Sequence, residues 1–207
     1  MISVRQQNFL LRKEKILAMA ETLLLDNNQD ITLSELATEL DIAKGTIYKH
    51  FKSKNQLYLE LIILNEKRLL ELSKKYNPDI KAYVSQYMLY NMLNSNRTIL
   101  LHVIEERLTN NERKLKELFE ELYQIREARI LEIRDLFANH LKALNSSMSI
   151  RDYLSYIWTV TYGASLLLNS THYQKSIGSR ERLIKLYVNQ ALMTPDKLTE
   201  ATLEKAD

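Results

Sequence analysis

The chain has 207 residues, of which 45% are hydrophobic and 27% charged, a formal net charge of +3 at pH 7, three glycines, two prolines and no cysteine. Because glycine and proline form most turns, their scarcity excludes an all-β sandwich or barrel, and the wide spacing of the glycines excludes a glycine-rich phosphate-binding loop. The lack of cysteine excludes disulfides, thiolate zinc sites and a cysteine nucleophile. The composition therefore predicts an all-α protein of long helices.

Apolar residues recur with the helical period of about 3.6 along nearly the whole chain. Thr32-Leu33-Ser34-Glu35 has the pattern of a capping box, in which hydroxyl and carboxylate bind each other's backbone donors, and Ser53-Lys54-Asn55-Gln56 repeats it. Ser149 and Ser179 are also typical helix N-caps. The nine helices predicted in this way span 12–26, 32–40, 43–51, 53–76, 79–93, 97–108, 111–144, 149–170 and 180–193.

The second and third predicted helices form a helix-turn-helix, with an inner core that includes Ile47 and Phe51. The outer face of the third helix carries Gly45, Thr46 and Lys49, and its N-terminus has backbone donors that favour phosphate. Residues 42–56 contain four lysines and no acidic residue. Such a surface suits the DNA major groove, with the lysines providing counterion release. The same lysines could also be an ordinary solvated helix face.

The segment ITLSELATELDIAKGTIYKHFKSKNQL, residues 31–57, resembles the DNA-binding motif of the TetR family of transcriptional regulators. The resemblance extends over about residues 8–65 and implies an N-terminal three-helix DNA-binding domain, here 1–55, followed by an effector-binding and dimerisation domain, 56–207. It also implies a homodimer on a palindromic operator, with a small-molecule effector. The implied DNA-binding residues are Thr32, Ser34, Lys44, Gly45, Thr46, Tyr48, Lys49, His50 and Lys54.

The turn between the two helices departs from the family pattern, since Asp41-Ile42-Ala43 replaces the commoner Gly-Val-Ser. Asp41 is therefore expected to adopt a left-handed backbone conformation, and Ala43 lacks a hydroxyl that could cap the recognition helix. Two implied contacts also have other interpretations. Tyr48 could be a core aromatic, and His50 could be a cation at the helix C-terminus.

The C-terminal part contains two groups of aromatic and methionine residues, in the helices predicted at 79–93 and 149–170. Soft apolar surface with a few hydroxyls suits a pocket for a largely apolar ligand, although each residue could instead be part of the core. The residues predicted to line such an effector pocket are Tyr87, Met88, Met92, Tyr123, Trp158 and Tyr162.

The last two predicted helices are apolar nearly all round, so one side is expected to meet the protomer's core and the other a partner. Gly163 is interpreted as a position of close helix approach. The residues predicted for the dimer interface are Leu154, Ile157, Leu168, Leu183, Leu186 and Tyr187.

The sequence thus predicts a ligand-responsive transcriptional regulator, most often a repressor in this family, that is not an enzyme. Its partners are operator DNA, a second copy of the chain and an unidentified effector. No cofactor or metal is expected. With no apolar run of membrane-spanning length and no export signal near the start, the expected location is the cytoplasm. The alternatives are a sequence-tolerant DNA-binding protein and a helical small-molecule binder without a ligand switch.

Overall fold

A computed structural model of the chain describes residues 3–27, 30–76, 79–109, 113–176 and 179–193. These residues form helices and connecting turns, with no strand among them, which confirms the all-α class. The helices are α1 Val4–Asn27, α2 Leu33–Glu39, α3 Lys44–His50, α4 Lys54–Tyr76, α5 Ile80–Leu93, α6 Ser95–Thr109, α7 Lys116–Ala143, α8 Ile150–Asn169, α9 Thr171–Ser176 and α10 Arg180–Met193. A 3-10 turn, Arg113–Leu115, precedes α7.

Three details differ from the predicted elements. Helix α1 begins at Val4, ahead of the predicted 12, because the Ser3 side chain accepts the Gln6 N–H and Gln6 Oε1 accepts the Ser3 N–H. The stretch predicted as one helix over 111–144 has a 3-10 turn before α7 begins at Lys116. Helix α9 is an additional short helix between α8 and α10.

The chain divides into two compact units. Unit 1 consists of Met1–Lys67 and Leu100–Ile125, and unit 2 of Arg68–Ile99 and Arg126–Asp207. This division is by packing, whereas the predicted boundary at residue 55 separates functions and stays a prediction.

Unit 1 has one hydrophobic core, to which both of its chain segments contribute. The helix-turn-helix supplies buried side chains such as Leu36, Ile47 and Phe51, while Leu101, Ile104 and Leu108 of α6 join the same cluster. The burial of these apolar surfaces holds α2 and α3 in a fixed arrangement.

The turn between α2 and α3 is a Schellman motif. The Ile42 N–H donates to the Ala37 carbonyl at 3.0 Å and the Asp41 N–H to the Thr38 carbonyl at 3.1 Å. Asp41 has φ 51°, which confirms the left-handed conformation expected from its place in a turn that more often holds glycine. This motif ends α2 abruptly, which allows α3 to begin at Lys44.

Unit 2 has a separate core that contains residues of α5, α7, α8 and α10. The Tyr153 hydroxyl donates to the Ala191 carbonyl at 3.0 Å, and the Arg180 guanidinium donates to the carbonyls of Met92 and Leu93 at the end of α5. A Cβ placed on Gly163 would meet no atom within 4 Å. The expected close helix approach at this glycine is therefore absent from the part of the chain that the structure describes.

Candidate nucleic-acid interface

The inner side of helix α3 packs against the core of unit 1. Ile47 within the helix and Phe51 at its C-cap are completely buried in the core of unit 1. The Phe51 N–H donates to the Ile47 carbonyl at 2.9 Å, which closes the last turn. Since the inner side is fixed by packing, the opposite side of this seven-residue helix is presented to solvent.

The exposed side of α3 contains Lys44, Gly45, Tyr48 and Lys49, and Thr46 beside them is half-buried. Tyr48 is 48% exposed, so it is not a core aromatic. A Cβ placed on Gly45 would meet nothing within 4 Å, which means that this glycine is not required by the packing of the protein itself. The face therefore combines two lysines, a phenol hydroxyl and a position without a side chain.

The beginning of α3 has no side-chain cap. Ala43 occupies the N-cap position and makes no side-chain hydrogen bond, as expected from its missing hydroxyl. In its place the Thr46 N–H donates to the Ala43 carbonyl at 2.7 Å.

Thr32 and Ser34, both exposed, lie at the start of α2. The predicted capping box is present, since the Glu35 N–H donates to Thr32 Oγ1 at 3.1 Å and the Thr32 N–H to Glu35 Oε2 at 2.7 Å. Hydrogen bonding to the Glu35 carboxylate by the backbone N–H of Thr32, and to a lesser extent by its hydroxyl, lowers the pKa of Glu35. The capping box fixes the end of α2 that the resemblance implies lies against DNA.

Lys54 belongs to an ionic network within unit 1. Its Nζ lies 2.6 Å from Asp30 Oδ2, and the Tyr58 hydroxyl donates to Asp30 Oδ1 at 2.6 Å. Arg107 lies 3.8 Å from the same carboxylate. Burial raises the pKa of Asp30, but the hydrogen bonds from Lys54 and Tyr58 and the charges of Lys54 and Arg107 outweigh it, so the net pKa is lowered. Among the residues that the structure describes, Lys54 is thus the implied DNA-binding lysine whose charge is shared with an acidic partner.

His50 is half-buried at the end of α3, where its ring stacks on Phe9 of α1 with centroids 4.1 Å apart. Burial lowers the pKa of His50, the charges of Arg12 and Lys13 lower it further, and Glu60 opposes them. The structure therefore disfavours the interpretation of His50 as a helix C-terminal cation. Sequence reasoning missed Phe9, although the Ser3-Val4-Arg5-Gln6 pattern that starts α1 early was visible.

A cavity of about 790 Å³ lies in unit 2 between α5, α7 and α8. Of the six residues predicted for an effector pocket, Tyr87 and Trp158 line it. Met88 and Met92 are completely buried in the core, because their side of α5 packs inward. Tyr162 does not line the cavity but stacks on Trp158 at 5.2 Å, and Tyr123 is 58% exposed and belongs to unit 1.

The residues predicted for a dimer interface fall into a buried group and a group that is half-buried or exposed. Ile157, Leu168 and Leu183 pack inside the core of unit 2, because one side of α8 and α10 is used by the protomer itself. Leu154 and Tyr187 are half-buried, and Leu186 is 49% exposed. Leu166 and Leu167, which were not among the six residues predicted for the interface, are exposed on α8. Among the described residues, no helix combines the length and apolar content that crossing a membrane would require.

Residues 16–61, which contain the helix-turn-helix, match the family model described as bacterial regulatory proteins, tetR family. Over 82 residues the chain is 34% identical to the HTH-type transcriptional regulator QacR of Staphylococcus aureus, covering 39% of this chain and 44% of that protein. Over 84 residues it is 32% identical to the HTH-type transcriptional regulator AcrR of Shigella flexneri, covering 41% and 35% respectively. The matched part of the chain thus spans less than half of either relative. Members of this family are DNA-binding transcription regulators rather than enzymes. The helix-turn-helix part of this chain is therefore similar to the DNA-binding part of the tetR family of bacterial regulatory proteins.

Proposed function

We propose that the chain is a transcription regulator that binds a palindromic operator as a homodimer, acts as a repressor, and is released by a small, largely apolar effector. The observation that carries the proposal is the exposed face of α3, where Lys44, Gly45, Tyr48 and Lys49 stand on a helix fixed from behind by Ile47. A helix of this kind fits the major groove, with lysines toward phosphate and the glycine permitting close approach.

Dimerisation is supported by the outer surface of α8 and α10. Leu166, Leu167 and Leu186 are exposed large apolar side chains on these two helices, and Tyr187 adds a half-buried phenol. A two-fold axis through such a surface would pair each patch with its own copy and present two α3 helices to two half-sites. The operator is then expected to be an inverted repeat.

Effector response is supported by the cavity of unit 2, whose volume lies within the range of small-molecule sites. Helices α4, α6 and α7 each contribute residues to both units, so they are the proposed route from the effector to α3. To change operator occupancy from 99:1 to 1:99, the effector must prefer the released conformation by about 5.5 kcal/mol.

The test is fluorescence anisotropy or a mobility shift with DNA from upstream of the chain's own gene, compared with random DNA at the same salt concentration. We expect a specificity ratio of about 10³ or more. Lys49→Ala removes one lysine from each α3 helix of the dimer, so it is expected to weaken binding and to reduce the slope of log affinity against log salt by about 2. Lys142→Ala, at an exposed lysine of α7, is expected to leave both unchanged. Equal binding to random DNA would favour a sequence-tolerant binder, and a lack of any DNA complex at low salt would refute the proposal.

A further inference from the structure

The cavity of unit 2 has a mostly apolar wall. Tyr83 and Tyr87 of α5, Phe137 of α7 and Trp158 of α8 provide aromatic surface, and aliphatic side chains of α7 and α8 complete it. Tyr83 and Phe137 pack edge to face with centroids 5.9 Å apart, which makes this part of the wall continuous with the core of unit 2. Such a wall binds a hydrocarbon or aromatic body by burying its surface.

The same cavity has an excess of positive charge. Its lining contains the guanidinium groups of Arg129, Arg134 and Arg151, against a single carboxylate, that of Glu127. The Arg129 guanidinium lies over the ring of Tyr87, 5.7 Å from its centroid, where the aromatic face stabilises the cation. Asp135 accepts a bond from Arg134 Nε at 3.3 Å, but both side chains are largely exposed, and so this pair contributes little to the neutralisation of the cavity.

The position of the arginines relative to the apolar wall matters as much as their number. Arg129 and Arg134 come from α7, whereas Arg151 comes from the first turn of α8, so the charges approach the cavity from both helices. Arg129 is half-buried, while Arg134 and Arg151 are exposed. A guanidinium presents a planar fork of donors that matches a carboxylate with two parallel hydrogen bonds.

We propose that this cavity binds an amphipathic anion, with the apolar body against the tyrosines, Phe137 and Trp158 and a carboxylate group paired with the arginines. This inference rests on the proposed function only in taking the bound molecule to be the effector. A cation of the same shape meets net repulsion, since three positive charges face one negative charge. A neutral analogue gains the apolar contacts alone.

The chain has one tryptophan, Trp158, and it lines the cavity, so its fluorescence reports directly on occupancy. The full-length protein is titrated with decanoate, decanol and decyltrimethylammonium, each below the concentration at which it aggregates. We expect saturable binding of decanoate at least tenfold tighter than that of decanol, and weaker binding still of the cation. Equal affinity for decanoate and decanol, or a preference for the cation, would overturn the assignment.

Variants distinguish charge recognition from general hydrophobic binding. Arg129→Gln and Arg151→Gln are each expected to weaken decanoate binding at least fivefold without changing decanol binding, while Lys142→Gln on α7 changes neither. Arg134→Glu leaves two positive and two negative charges in the lining, so it is expected to abolish the preference for decanoate over the cation. Thermal unfolding of each variant verifies that it folds, and the decanol titration verifies that the cavity is intact. Retention of the decanoate preference in all three arginine variants would refute the proposal.

The two proposals can fail separately. If decanoate binds as expected but operator DNA is not bound, the regulator proposal is refuted and the cavity assignment is supported. If operator DNA is bound and the three ligands bind equally, the cavity assignment is refuted and the regulator proposal is supported. Decanoate that binds tightly and leaves a specific DNA complex unchanged supports the cavity assignment and refutes release by this class of ligand.

Discussion

The phenol oxygen of Tyr58 lies 2.6 Å from Oδ1 of Asp30 and 3.1 Å from the backbone nitrogen of Ile31. The hydroxyl donates to the carboxylate and accepts from the amide, so one side chain of α4 satisfies two groups just before α2. Tyr58 is completely buried, and burial together with the bond to Asp30 raises its pKa. This contact ties the start of the helix-turn-helix to α4.

Tyr58→Phe removes both bonds and leaves the ring in place. Because the buried amide of Ile31 loses its acceptor, we expect the free energy of unfolding to fall by about 1–3 kcal/mol. Urea unfolding followed by far-ultraviolet circular dichroism measures this change. Tyr48→Phe is the matched control, since it removes an exposed hydroxyl and should change stability by less than about 0.5 kcal/mol. Equal effects of the two substitutions would contradict the assigned role of Tyr58.

Asp41→Gly tests the strain in the turn before α3. Asp41 has φ 51°, a region in which a Cβ is unfavourable and glycine is not, so the substitution should raise the free energy of unfolding by about 0.5–1 kcal/mol. Asp41→Ala retains a Cβ but lacks the polar side chain that tolerates this region, and it should be destabilising. Denaturant unfolding of the three proteins gives the order Gly above Asp above Ala, and any other order would argue against backbone strain as the cause.

Gly45→Val separates folding from DNA binding. Since an added Cβ meets no atom within 4 Å, the protein is expected to keep its helical circular dichroism and remain folded. The branched side chain would hold α3 away from the groove, and we expect operator affinity to fall at least tenfold. Ala128→Val is the control, because that alanine is exposed on α7 in unit 2, away from both α3 and the apolar surface proposed for dimerisation. Retention of operator affinity in Gly45→Val, or an equal loss in the control, would remove Gly45 from the proposed interface.

His50→Gln tests the stacked, half-buried imidazole at the end of α3. Its pKa in the folded protein is below the ordinary value, so between those two pKa values the unfolded chain binds more protons and stability increases with pH. The wild type should therefore lose stability relative to His50→Gln as the pH falls from about 7 to 5. Urea unfolding of both proteins at several pH values measures the difference. A difference that does not change with pH would mean that the pKa of His50 is the same in both states.

The elements that depend on local patterns could be predicted. The capping box at Thr32, the N-cap at Ser149, the left-handed Asp41 and the uncapped start of α3 each follow from residues within a few positions of one another. Contacts between residues distant in the chain could not. Asp30 and Arg107 lie 3.8 Å apart although 77 positions separate them in the chain, and no periodicity of the sequence links them.

The sequence also could not predict which side of α8 and α10 is buried within the protomer. An apolar pattern on every side of α8 and α10 does not distinguish the side that meets the protomer's own core, which contains Ile157, Leu168 and Leu183, from the side that carries Leu186. The charge of the cavity could not be predicted from the sequence either. The aromatic residues could be selected by composition, but the three arginines that give it a charge are scattered along α7 and α8 and became neighbours only through packing.

The core of unit 1 has a consequence for any attempt to transplant the helix-turn-helix of this chain to another protein. Leu101, Ile104, Leu108, Leu115 and Leu122 pack in one cluster with the helix-turn-helix. A fragment ending at Lys67 would expose the apolar surface that these leucines and the isoleucine cover, and should aggregate or melt early. A chimera that joins this helix-turn-helix to another effector domain would therefore have to carry residues 100–125 as well, because the folding of the helix-turn-helix depends on a segment encoded far downstream.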